Sequence, residues 1–187
     1  FYLTGFIAVL LIYIWLDEYW LSAYTVAGES QERSEFERLL CFHPESLVLA
    51  VVLIGGAIFY KKMLSPDPAG FPGYFVFLTL TALTPSAALL PTARPVMNWR
   101  AFSLTLFMLL LTSLLWEATL ALPYGWWGYQ PSQMMGLGVT AWAGLPIEAV
   151  CVWIAVTYMT VIVYEIVKRW KASGKSARSA FLGAKTR

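Results

Sequence analysis

Charge is what this chain has least of. Asp, Glu, Lys and Arg make up 13% of its 187 residues, about half the roughly 25% of a soluble domain. Histidine occurs once, at His43, which excludes a histidine-rich metal site. There is no GxxxxGK[ST], HExxH or CxxC, so the chain carries no phosphate loop, zinc-protease or dithiol signature. Neither a metal nor any other cofactor is expected. Two cysteines are present, Cys41 and Cys151, the second inside an apolar run. A bridge between them is not expected, and two thiols without a spacing motif report no compartment. What is plentiful is apolar surface: 59% hydrophobic residues, 16% aromatic, and a mean hydropathy of +0.64. The expected class is all-α, a polytopic transmembrane helical bundle.

Five stretches are long enough to cross roughly 30 Å of hydrocarbon as helices. They cover about 1–21, 46–63, 72–91, 101–121 and 145–167. The chain begins at Phe1, already inside an apolar run, and reads as lacking its natural start; a cleaved signal would expose a polar end. The third stretch contains Pro85 and Pro91, which predict a kink or an early stop. Pro146 divides the long apolar region 136–169, leaving GLGVTAWAG as a loop, a half-helix or a re-entrant segment.

The connections differ in chemistry. Residues 22–45 hold five Glu (29, 32, 35, 37, 45) against Arg33 and Arg38. Residues 122–135, LPYGWWGYQPSQMM, carry no charge and four aromatics. The end, KRWKASGKSARSAFLGAKTR, holds seven of the thirteen basic residues. The positive-inside rule assigns that tail to the cytoplasm. Lys61 and Lys62 then fall outside, against the rule. The tail reads as a topology and anionic-lipid signal, not a nucleic-acid site.

Two regions resemble each other. WLDEYWLSAYTV is followed by a polar link and FHPESLVLAVVLIGGAIFYKK; LLWEATLALPYGWWGY is followed by a link and GLPIEAVCVWIAVTYMTVIVYEIVKRW. Each has an apolar helix ending in Trp and acid, then Pro with Glu close behind, another apolar helix and a basic stop. Self-similarity of this kind is sought before fold. Three crossings separate the two basic stops, and an odd number implies inverted repeats. The expected organisation is an incomplete first repeat of two helices over 1–63, a second of three helices over 64–170, and a basic cytoplasmic tail over 171–187.

The residues Trp116 and Glu117, then Trp127, Gly128 and Tyr129, then Pro146, Ile147 and Glu148 resemble the small integral-membrane lycopene cyclases of bacteria, archaea and fungi. The first region matches more weakly, through Trp15, Asp17, Glu18, Pro44 and Glu45. The chain departs from the family pattern at two points. Ala149 stands where a second acid follows Pro-x-Glu, and in the first repeat the spacing shrinks to Pro-Glu, with Ser46 following. The resemblance implies paired three-helix repeats and a redox-neutral cyclisation of a polyene end group such as that of lycopene. It implies catalytic acids at Glu117 and Glu148, with Glu18 and Glu45 as partners. It implies contact with the polyene or carotenoid through Trp116, Trp126, Trp127, Tyr129, Trp142 and Pro146.

The chemistry sets its own conditions. A donor carboxyl must hold its proton near neutral pH, and desolvation raises a carboxyl pKa by up to roughly 3–5 units. Two close carboxyls push one higher still, which Glu117 and Glu148 could do if their helix ends meet. Aromatic faces steady a cation by about 0.5–2 kcal/mol each. Plainer readings stand beside these. Glu117 and Trp116 fit an interfacial belt, as do Trp126–Tyr129. Glu148 fits a helix start after Pro146, and Glu45 an ordinary one. Glu165, three residues before Lys168, reads as an ion-paired helix end, and His43 as a loop residue. Two other functions remain open. One is a non-catalytic membrane subunit that binds pigment or lipid or packs within a larger complex, a reading that Ala149 and Ser46 favour. The other is a small transporter. Expected partners are the lipid bilayer, a hydrophobic polyene and membrane-protein subunits.

Overall fold

The computed structural model describes residues 2–21 and 38–183. Glu29, Glu32, Glu35 and Glu37 of the acidic connection, and the last four residues of the tail, lie outside the described residues. Among the described residues five helices are long and apolar enough to cross a membrane. The first, α1, is Tyr2–Trp15, prolonged by a wide π turn, Leu16–Trp20. Then come α2, Glu45–Met63, and α3, Gly73–Ala93. The fourth, α4, is Trp99–Trp116 and is also prolonged by a π turn, Glu117–Ala121. The fifth, α5, is Ile147–Ser173, and a short α6, Ala177–Leu182, follows. The chain is thus a polytopic helical membrane protein, as its hydropathy requires. Large apolar side chains such as Leu11, Val51, Phe77 and Phe107 are more than half exposed. On helices of this length and composition, that is the surface lipid covers. The most buried helix is α5, with 44% of its apolar window enclosed against 22–28% elsewhere.

Three sequence expectations shift in detail. α3 stops neither at Pro85 nor at Pro91 but runs on to Ala93. Pro91 has no N–H to give the Ala87 carbonyl; that oxygen instead accepts the His43 N–H at 2.8 Å. Beside it the Ala88 carbonyl accepts Cys41 N–H at 3.0 Å, and Thr92 donates its hydroxyl to the Leu39 carbonyl at 2.9 Å. The segment before α2 thus fills the site the proline leaves open. GLGVTAWAG proves to be a hairpin: Gly138–Val139 (β1) pairs antiparallel with Leu145–Pro146 (β2). Its return is made by Ala143 (φ 53°) and Gly144 (φ 71°), both left-handed. Finally, α5 continues to Ser173 rather than ending near 167. At 1.5 Å per residue it is longer than the hydrocarbon is thick, so its last turns carry Lys168, Arg169 and Lys171 beyond the apolar stretch.

The chain divides into two compact units. The first comprises residues 1–45, 85–105 and 156–187. Its core joins Leu39, Ala93, Ile162, Ile166 and Ala180, flanked by Leu89, Leu90, Tyr158, Trp170 and Phe181. α6 is fastened there by the Leu39 N–H to the Ala180 carbonyl, 2.8 Å, and by Phe181 edge-on to Trp170. The second comprises 46–84 and 106–155. In it the connections 64–72 and 122–146 are knitted together: Phe71 N–H donates to the Ser132 carbonyl at 3.0 Å. Gly70 must be glycine, because a Cβ there would lie 2.1 Å from that same oxygen. Cys41 and Cys151 are free thiols.

Candidate functional site

The second unit holds two carboxyl groups that are buried almost completely, Glu117 (1% exposed) and Glu148 (0%). Glu117 opens the π turn after Trp116. A π turn admits one extra residue per turn and re-aims the side chains it carries. Here it directs Glu117 inward, where the Tyr129 hydroxyl donates to Oε2 and the Trp153 indole N–H to Oε1 at 3.2 Å. Both donors are neutral. Burial first, then the hydrogen bond and charge of Glu117, hold the Tyr129 phenol above its ordinary range, with Trp127 acting in the opposite sense. Tyr129 is therefore a protonated donor.

Glu148 sits in the first turn of α5, set there by the β2 strand and by Ile147 N–H bonding the Leu137 carbonyl at 2.9 Å. Its Oε1 accepts the Met135 backbone N–H at 2.6 Å. Its Oε2 is buried and has no hydrogen-bond partner among the described residues. A buried polar atom in this state calls for an explanation, and within a membrane segment an ionisable residue is a functional candidate. Around the end of α4 the Trp116 ring packs on Trp127 at 4.6 Å and Trp126 at 5.9 Å, and Tyr124 lies 6.4 Å from Trp126. Trp126 is 59% exposed and Trp142, at the hairpin tip, 36%. Pro146 is half-buried in β2.

In the first unit the acids behave differently. Glu18 and Glu45 are exposed, and Glu45 lies 3.9 Å from His43. The buried acid of the first Trp–acid motif is instead Asp17. Its Oδ1 accepts the Asn98 amide at 2.9 Å, and its Oδ2 pairs with Lys168 at 3.1 Å. Asn98 also caps α4, taking the Ala101 N–H at 3.1 Å. Glu165 does not end its helix: it is buried within α5 and accepts the Tyr13 hydroxyl at 2.8 Å.

Sequence reasoning missed Tyr13, Asn98, Trp153 and the Met135 amide. The first three are polar atoms on otherwise apolar helices or at a helix start, and a pattern of hydrophobicity does not distinguish them from packing residues. The Met135 contact is made by backbone and leaves no sequence signal.

Compared with family models, curated proteins and solved structures, the chain has no significant match. The class that fold and composition define is an integral-membrane helical protein, with five candidate spans among the described residues.

Proposed function

We propose that this chain is a membrane cyclase that closes a ring on the end group of a hydrophobic polyene by proton transfer, without redox chemistry. One observation carries the reading: Glu148 is wholly enclosed, anchored through one oxygen, with no hydrogen-bond partner for the other among the described residues. A carboxyl used only to start a helix would have both oxygens in water or on backbone N–H groups. In this reaction Glu148 gives its proton to one carbon of a terminal C=C bond, and the other carbon becomes the cation. The resulting carbocation is attacked by a second C=C bond of the same chain, and loss of a ring proton restores neutrality. Glu117, held by two neutral donors, supplies negative charge for the cation and a base for the departing proton. Trp116, Trp126, Trp127 and Trp142 offer π faces to the cation, each worth about 0.5–2 kcal/mol, with Pro146 and Tyr129 shaping the same region.

The repeat reading belongs to the same proposal: the halves 1–63 and 64–170 descend from one inverted three-helix unit, with 171–187 as a cytoplasmic tail. It is supported by the π turn that follows the helix-ending Trp in both halves, each carrying a buried acid. Glu18 and Glu45 would serve as outer partners of the first half.

The test is expression of the complete gene in lycopene-accumulating cells, with and without Glu148→Gln, and chromatography of the pigments. Cyclised product that disappears in the variant supports the reading. Unchanged lycopene beside well-folded wild-type protein overturns it. A second reading, a pigment- or lipid-binding subunit without chemistry, is favoured by Ala149 at the family's second acid position and by Glu117 having both oxygens engaged. It predicts pigment co-purifying with the protein and no new product.

A further inference from the structure

Lys61 is fully buried at the end of α2, an unusual place for a cation that no helix-end or topology argument requires. Its ammonium lies 3.7 Å from Asp67 and donates to the Pro131 carbonyl at 3.3 Å. Pro131 is near the midpoint of a short segment that touches both buried acids of the second unit. At one end Tyr129 donates to Glu117; at the other the Met135 N–H donates to Glu148. Between them the Ser132 carbonyl is held by Phe71 N–H and backed by Gly70. Lys62 shapes the opposing connection by donating to the Pro68 and Gly70 carbonyls at 3.2 and 2.7 Å. One strap thus sets the position of two carboxyls, and Lys61 is the charged group on its centre.

We infer that Lys61 is a positioning residue for Glu117 and Glu148, acting through Pro131. It is not a catalytic residue, since its contacts are to the strap and to Asp67. The inference deepens the cyclase reading and rests on it for its catalytic meaning, but the geometry it asserts is measurable without turnover. It also gives a reason for two lysines that oppose the positive-inside rule: both tie connections together, and a charge so engaged cannot be exchanged for a neutral residue without loosening the acids.

A hydrophobic carbodiimide, dicyclohexylcarbodiimide, reacts with protonated carboxyls in apolar surroundings. The full-length protein in native membranes is treated with it, and adducts are located by peptide mass spectrometry. In the wild type the adduct is expected at Glu148, whose Oε2 is open, with Glu117 protected by its two donors. Lys61→Met is expected to raise labelling of Glu117 several-fold, and Lys61→Arg, which keeps charge and donors, to restore the wild-type pattern. Gly70→Ala displaces the strap through Ser132 while leaving Lys61 intact. It should give the Lys61→Met pattern and serves as the test should Lys61→Met not fold. Wild-type labelling in a folded Lys61→Met protein, or in Gly70→Ala, would overturn the inference. In lycopene-producing cells Lys61→Met should lose cyclised product and Lys61→Arg retain it. A wild type that makes no cyclic product sinks the cyclase reading alone, because the labelling pattern stands or falls separately.

Discussion

In the first unit the acid near a helix-ending tryptophan is neutralised by a lysine; in the second it is held by a phenol and an indole. Asp17 has Lys168 and Asn98, whereas Glu117 has Tyr129 and Trp153. The local device is shared: an apolar helix, Trp15 or Trp116, and a π turn that swings an acid inward. The surroundings then differ in kind. An ion pair with a hydrogen-bonded amide fixes charge and shape together, which is a structural role. The hydrogen-bond donors to Glu117 are neutral, and no ion pair engages it among the described residues. Among the described residues, only the second unit adds an enclosed carboxyl with an oxygen that has no hydrogen-bond partner, Glu148. A motif in a membrane helix therefore does not carry its chemistry with it; the partners that tertiary packing supplies decide that.

The comparison can be broken most directly at Glu148. Glu148→Gln should abolish cyclised pigment while leaving thermal unfolding in detergent, followed by tryptophan fluorescence, close to that of the wild type. Asp17→Asn should do the reverse. It should lower stability by about 1–3 kcal/mol, the range for losing a hydrogen-bonded charge, without changing which pigments form. Product loss in Asp17→Asn with stability intact would put chemistry in the first unit and erase the contrast.

Glu117→Gln sharpens it further. A Gln amide nitrogen cannot accept, so either Tyr129 or Trp153 loses its acceptor, at a cost of about 1–3 kcal/mol. Tyr129 also predicts a pH effect with a definite sign. Its folded-state pKa is raised above the ordinary 10.0, so its contribution to stability is fully present below about pH 10 and is lost as pH rises beyond that value. Tyr129→Phe should therefore be less stable than wild type at neutral pH and show a weaker decline above about pH 10, read from melting temperatures across that range. The smallest effects are expected at the exposed acids. Glu18→Gln and Glu45→Gln should each change stability by no more than about 0.5 kcal/mol and lower the product only in part, and unchanged product in either would remove that acid from the reaction.

What can be read from the sequence divides along the same physical lines. Helix positions follow from apolar run length, because a bilayer demands about twenty apolar residues per crossing whatever the packing. Glu117 and Glu148 stand out because a carboxyl in such a run is costly. Glu18 stands out equally, yet its neighbour Asp17 is the buried one, since the π turn adds an offset that no helical periodicity predicts. Glu165 resembles a helix end because Lys168 follows it, but α5 continues and Tyr13, distant in sequence, claims it. Pro91 resembles a stop as long as its lost hydrogen bond is counted without His43, which takes the carbonyl it frees.

By itself, then, the sequence determined a polytopic helical membrane protein, with five apolar stretches long enough to cross, and the rarity of acids within them, for both depend on composition and on the thickness of hydrocarbon. Only the tertiary structure decided which acid is paired, which is held by neutral donors and which keeps an oxygen open. Hydrogen-bond partners are chosen by approach in space, and in this chain they come from backbone amides, a turn of unusual width and residues many positions away.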